Sequence, residues 1–228
     1  MRAPTCLPSM ASDIRVDLIA GFRSSGKTTL LNRMATRLWQ GERVLLMLNE
    51  SGNTRPADSL PAGRAVEEWE GGCLCCTAGA LLEQKLLQLA EQFRPDRMAV
   101  DLAETACISD VRPAFATVGS GTFRVEHVIY VLNAQTFDRK WALSGKLMAR
   151  QLQDSLAVWL NHAESAGEAL LARIRAAAME NNPHGIVADS RESVADWYPQ
   201  STLYPRFSFA PGCTRGKGSP FRITSARD

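Results

Sequence analysis

Residues 16–39 read VDLIAGFRSSGKTTLLNRMATRLW. An apolar strand candidate (16–20) runs into Gly21-Phe22-Arg23-Ser24-Ser25-Gly26-Lys27-Thr28, and helical spacing follows over 28–39. The middle stretch matches G-x-x-x-x-G-K-[ST] in the strand–loop–helix setting that gives this pattern meaning. Glycine lets backbone bend closely around phosphates with no Cβ in the way. Successive N–H groups then form an anion nest, reinforced by the positive end of the following helix. Lys27 supplies a compact charge for the β- and γ-phosphates, and the Thr28 hydroxyl is a ligand for Mg²⁺. The other reading is a glycine turn with an accidental Lys-Thr.

Outward from this loop, short apolar runs alternate with helical patterns. Strands are expected at 43–49, 97–101, 125–133, 156–161 and 185–190, and helices at 81–93, near 109–117 and at 166–179. In the first of these helices Leu82, Leu86, Leu89 and Phe93 fall on one face. Such alternation predicts an α/β, three-layer P-loop NTPase fold with a mainly parallel sheet. The expected organisation is a lead-in over 1–12, a nucleotide-binding domain over 13–199 and a tail over 200–228. The tail is rich in Gly, Pro, Ser and basic residues.

The 228 residues suit one domain with a tail. Lys plus Arg is 26 against 24 Asp plus Glu, a net charge of +2, so charge makes no case for nucleic acid or a membrane surface. No apolar run approaches the ~20 residues of a membrane span. MRAPTCLPSMASD lacks the apolar core of a signal peptide, so the expected compartment is the reducing cytoplasm.

A phosphate loop also needs an acid at a neighbouring strand end for the Mg²⁺ shell. RMAVD ends in Asp101, and Glu104 is the rival three residues on.

The six cysteines are Cys6, Cys73, Cys75, Cys76, Cys107 and Cys213. Three of them crowd into GGCLCCT (71–77), which is no disulfide framework. Thiolates are soft donors that favour Zn²⁺ or another transition metal. Without a second Cys or His pair, three thiols leave a coordination position open, which suits transfer better than permanent structure. The alternative is three buried cysteines packed as small hydrophobes.

GFRSSGKTTLLN, NESG (Asn49–Gly52) and GGCLCCT, taken together, resemble the CobW-type metal-chaperone GTPases, relatives of the GTPases that deliver nickel to urease and hydrogenase. PDRMAVD and ENNPHGIV extend the resemblance, which covers about residues 14–188. It implies a GTP/GDP-binding domain whose nucleotide state controls a Cys-x-Cys-Cys metal site, and a client metalloprotein as recipient. The metal ligands would be Cys73, Cys75 and Cys76, with Glu50 as an additional one. Gly21, Arg23, Ser24, Ser25, Gly26, Lys27, Thr28 and Thr29 would hold nucleotide and Mg²⁺. Lys27, Thr28 and Asp101 would act on the reacting phosphates.

The chain departs from the family pattern in three places. The guanine-reading Asn-Lys-x-Asp becomes Asn161-His162-Ala163-Glu164, with the acid one methylene longer. The Glu-x-x-Gly turn becomes Asp101-Leu102-Ala103-Glu104, which adds negative charge near phosphate. The first-switch acid falls at Asp58, one place beyond Ala57. The reading therefore expects slow GTP hydrolysis, in a chain without the family's C-terminal domain. Two alternatives stand beside it: a non-hydrolysing regulatory pseudo-GTPase, and a small-molecule kinase with a lid from Arg139, Lys140, Lys146 and Arg150. A homodimer that shares its metal site between two chains would complete the three-thiol cluster.

Overall fold

The computed structural model describes residues 13–48, 64–69, 80–106, 108–118 and 122–198. Among these residues seven strands form one sheet: β1 (Ile14–Ala20), β2 (Val44–Leu48), β3 (Arg64–Glu68), β4 (Arg97–Asp101), β5 (Phe123–Asn133), β6 (Ala157–Asn161) and β7 (Ile186–Asp189). Their order is β3-β2-β4-β1-β5-β6-β7, and every neighbouring pair is parallel. The helices are α1 (Lys27–Arg37), α2 (Ala80–Phe93), α3 (Ile108–Thr117), α4 (Phe137–Gln153), α5 (Glu168–Asn181) and α6 (Val194–Trp197).

A parallel sheet is covered on both faces, so its strands read as near-continuous apolar runs. VLLML of β2 and AVWLN of β6 are buried throughout. Alternation divides the side chains of β1 between two cores. Val16, Leu18 and Ala20 join the core under α2, α3, α4 and α5, whereas Ile19 joins the one under α1 and α6. Leu82, Leu86 and Leu89 are buried along α2, and Phe93 packs half-buried at its end. The expected α/β architecture is therefore present as three layers.

Three elements go beyond the sequence reading. β3, RAVEE, is a half-polar edge strand with little apolar signal, and its Glu67 accepts from Lys85 of α2 at 2.5 Å. α4 is kinked at Ser144, where φ is −141° and ψ 26°. α6 is a single turn, whose Trp197 stacks on Trp159 of β6 with ring centroids 5.0 Å apart.

One polar cluster lies inside the α1/α6 core. Asp17, mid-strand in β1, is fully buried. Arg97 of β4 meets its Oδ2 at 2.5 Å and also reaches Glu42 at 2.8 Å and Glu126 at 3.2 Å. His127 Nδ1 lies 2.5 Å from Asp17 Oδ1, and the Tyr198 hydroxyl donates to the same oxygen at 2.9 Å. The Arg97 guanidinium covers the Trp39 ring at 5.3 Å. Burial alone would push the Asp17 carboxyl up, yet the His127 hydrogen bond and the Arg97 charge hold it below its usual range.

From β1 the chain builds the sheet to one side as far as β3, returns to β4, then crosses to β5 on the other side of β1. β1 therefore ends where the direction of winding reverses. In open α/β sheets ligands bind at the carboxyl ends of the strands at such a point.

Candidate functional site

The loop leaving β1 is shaped by two glycines. Gly21 has φ +139°, and a Cβ there would lie 2.4 Å from the Val131 carbonyl oxygen. Gly26 has φ +101°, and a Cβ would lie 2.0 Å from Asn161 Nδ2. Ser24 between them is also left-handed, at φ 61°. The Asn133 amide donates to Ser24 O at 3.2 Å, and Asn161 donates to Ser25 O at 3.1 Å. The peptide plane is rigid and trans, so anchoring the Ser25 carbonyl outward turns the Gly26 N–H inward. Asparagines at two strand ends thus fix the shape of the loop from outside it.

Lys27 opens α1 and is buried, and its Nζ donates to Gly21 O at 2.9 Å across the mouth of the loop. Asp101 Oδ1, at the buried end of β4, lies 3.6 Å from the same ammonium. Thr28 follows in the first turn and is half-buried, Thr29 is exposed, and Arg23 is exposed at the loop's tip. The Arg23 N–H donates to Glu104 Oε2 at 3.0 Å. Of the two candidate acids, Asp101 therefore sits beside the lysine and Glu104 on the loop backbone.

The opposite end is built on β6 and β7. Asn161 closes β6, His162 turns the chain in the left-handed region (φ 60°), and Glu164 is exposed. Ser190 Oγ donates to Glu164 Oε2 and accepts the Ala163 N–H at 2.9 Å. The Ser190 bond holds the Glu164 carboxyl below its usual range, so it stays an acceptor. The residue before it, Asp189, is buried and takes Arg191 Nη2 at 2.8 Å, the Arg191 N–H at 3.0 Å and an ion pair with Arg175. The Arg191 hydrogen bonds draw its carboxyl down to about 2.

That depressed value has a pH consequence. A carboxyl of unfolded pKa about 3.9 that titrates lower in the fold adds stability above pH 4, and loses it as pH falls towards 2. Wild type should exceed Asp189→Asn by about 1–2 kcal/mol in urea unfolding at pH 6. The gap should close between about pH 4 and 2; a gap that persists at pH 2 contradicts this assignment.

The structure thus places Gly21, Arg23, Ser24, Ser25, Gly26, Lys27, Thr28, Thr29, Asp101, Asn161 and Glu164 at or just beyond the carboxyl ends of β1, β4 and β6. Cys73, Cys75, Cys76, Glu50, the NESG stretch, Ala57 and Asp58 lie outside the described residues, as does the 200–228 tail. β2 and β3, parallel to β1 in the sheet, end at the same carboxyl side from which the phosphate loop leaves, where Trp69 N donates to Leu48 O at 2.7 Å. The basic residues of α4 form no cluster over the loop. Arg150 donates to Ser109 Oγ at 3.2 Å, Lys140 lies over the Phe22 ring at 5.0 Å, and Arg139 and Lys146 are exposed. Among the described residues no helix is long and apolar enough to cross a membrane.

Sequence reasoning missed Asn133, Gln151 and Ser190. Asn133 had a readable signal, since VEHVIYVLN ends in Asn just as LAVWLN does. Gln151 and Ser190 had none, because they act on residues 47 and 26 positions away.

A family model described as "CobW/HypB/UreG, nucleotide-binding domain" matches residues 15–188. The zinc chaperone YeiR of Escherichia coli is 34% identical over 89 residues, 38% of this chain and 27% of that protein. The zinc chaperone YjiA of E. coli is 30% identical over 102 residues, 44% of this chain and 32% of that protein. The chain thus spans less than a third of the length of either curated relative. In fold it is similar to Zn(II)-bound YjiA GTPase from E. coli (TM-score 0.59, 19% identity, 78% of this chain, 57% of that one). It is likewise similar to the hydrogenase maturation factor HypB of Archaeoglobus fulgidus (TM-score 0.57, 17% identity, 81% of this chain, 86% of that one).

Proposed function

The chain belongs to the CobW/HypB/UreG nucleotide-binding family, and from that premise we propose that it is a nucleotide-dependent metal chaperone whose phosphate loop takes GTP and GDP. The observation that carries the nucleotide reading is the open loop between Gly21 and Gly26, with buried Lys27 across its mouth and Asp101 beside it. In this reading the Lys27 ammonium and the N–H groups of Ser24, Gly26, Lys27, Thr28 and Thr29 bind phosphate oxygens, while the Ser25 N–H closes the turn onto Phe22 O at 3.0 Å. Asn161 fixes the loop from the β6 side, and Glu164, oriented by Ser190, accepts hydrogen bonds from the base edge. Thr28 and Asp101 are hard oxygen donors of the kind Mg²⁺ selects, so the donor set fits that ion. When bound, Mg²⁺ would neutralise charge on the β- and γ-phosphates. Hydrolysis would be slow, catalysed by positioning rather than by a dedicated base.

The metal cargo is assigned to Cys73, Cys75 and Cys76, with Glu50 assisting. Zn²⁺ is the proposed ion, because thiolates favour it and curated relatives are named zinc chaperones. Glu50 follows Leu48 of β2 by two positions, and Cys73 follows Trp69 by four. Both therefore lie close in sequence to strand carboxyl ends on the nucleotide side of the sheet, which supports coupling between nucleotide state and metal release to a client metalloprotein.

Calorimetric titration with GTP and ATP analogues in Mg²⁺, with and without Zn²⁺, tests the reading. Preference for the guanine analogue and an affinity that shifts with Zn²⁺ are expected. Cys75→Ser should weaken Zn²⁺ binding by about tenfold or more while nucleotide affinity holds. Equal affinity for both bases rejects the guanine assignment, and unchanged Zn²⁺ affinity in Cys75→Ser rejects the metal site.

A further inference from the structure

We propose that Glu104 is a built-in competitor for the terminal phosphate, so that the chain favours nucleoside diphosphate over triphosphate. The proposal rests on the nucleotide-binding reading above and adds a determinant of which nucleotide state the site prefers.

The carboxylate is delivered to the loop by a fixed backbone. Leu102 N donates to Ile19 O at 2.9 Å, which carries the β1–β4 ladder one residue beyond β4. Ala106 N then closes a turn onto Ala103 O at 2.9 Å. Gln151 of α4, itself 1% exposed, donates through one amide nitrogen to Glu104 O at 3.1 Å and Ala106 O at 2.9 Å. A buried amide on another element thus sets the height and direction from which Glu104 reaches the Arg23 N–H. Arg23 is the third residue of the Gly21–Thr28 loop, so the bond sets the carboxylate directly against the phosphate loop.

The strand order says which end of the nucleotide is concerned. Asn161 and Glu164 stand on the β6 side, where the base is read. Asp101 and Glu104 stand on the β4 side, with β1 and β5 between. Lys27, which serves the β- and γ-phosphates, lies 3.6 Å from Asp101 on that side. Glu104 therefore occupies the terminal-phosphate end. A diphosphate stops one phosphate short of it. A triphosphate brings its most charged group against a carboxylate, where repulsion is strong at the effective dielectric of a protein surface. The γ-phosphate can bind only as Glu104 swings off the Arg23 N–H, so its affinity is reduced by the work of displacing that bond.

Titration of the full chain with GDP and with a non-hydrolysable GTP analogue in Mg²⁺ tests this in wild type, Glu104→Gln and Glu104→Gly. Both variants should bind the triphosphate analogue about tenfold or more tightly, with GDP affinity within about twofold of wild type. Glu104→Gln keeps the shape of the side chain and guards against a folding effect of the glycine. If triphosphate affinity falls in the variants, Glu104 is a supporter of Mg²⁺ and the proposal is wrong. If both nucleotides tighten equally, or neither changes, the proposal is also wrong, while the nucleotide site stands. If no form binds either nucleotide, the nucleotide-binding reading itself fails.

Discussion

Arg97→Leu should lower the unfolding free energy by about 3–5 kcal/mol, because it removes the cation from a cluster built around the fully buried Asp17 carboxylate. His127 and Tyr198 would still hydrogen-bond that carboxylate, but neither supplies the permanent charge of a guanidinium. The loss also strips Glu126 of a partner at 3.2 Å and uncovers the Trp39 face. Urea unfolding followed by circular dichroism at pH 7 gives the number, with an unchanged slope showing that the same surface is exposed. Adding Asp17→Leu should restore part of the loss, since an apolar pair can replace a buried ion pair at little cost. A loss below about 1 kcal/mol in the single variant would mean that water reaches Asp17 and that the cluster is not a dry one.

Lys27→Ala should weaken GDP binding by about a hundredfold or more, the scale expected when a charge-assisted phosphate contact is lost. Lys27 is 5% exposed, and its side chain bridges the loop through Gly21 O. The substitution therefore removes both the charge and the brace that shapes the nest. Lys27→Arg should recover little of the affinity, because a planar fork does not fit where a compact ammonium bonds two successive carbonyls, Gly21 O at 2.9 Å and Phe22 O at 3.5 Å. GDP titration, with a melting curve to show that the variant is folded, decides it. Affinity within about threefold of wild type would remove Lys27 from the phosphate site.

What the sequence discloses follows from how local each feature is. The phosphate loop is contiguous, and its glycines, lysine and flanking strand and helix can be read without knowing what they touch. β2, β4 and β6 are legible because burial on both faces leaves only apolar residues at almost every position. β3 escapes notice because an edge strand tolerates Arg64, Glu67 and Glu68. α4 escapes because only Phe137, Met148, Gln151 and Leu152 of its 17 residues are buried, a sparse apolar signal among Arg139, Lys140, Lys146 and Arg150.

In the site, Asn161 is legible as part of a motif, whereas the residues that shape the motif are not. Glu164 keeps its acceptor role through Ser190, and Glu104 is aimed by Gln151, across separations no window of sequence covers. The buried cluster is the extreme case. Nothing about VDLIA announces that its acid will be enclosed, because the partners come from β4, β5 and the end of α6.

Tyr198 and Asp17 are 181 positions apart. At the usual rates of protein synthesis, roughly 10–40 s pass between the ribosome's making one and the other. Through that interval the acid of the first strand lacks the hydroxyl that completes its surroundings, and water must serve in its place. β1, which leads into the phosphate loop, is therefore translated before the other described strands and sealed only after Tyr198 is made. Final desolvation of its inner face waits for the chain to reach the turn that closes over Trp159.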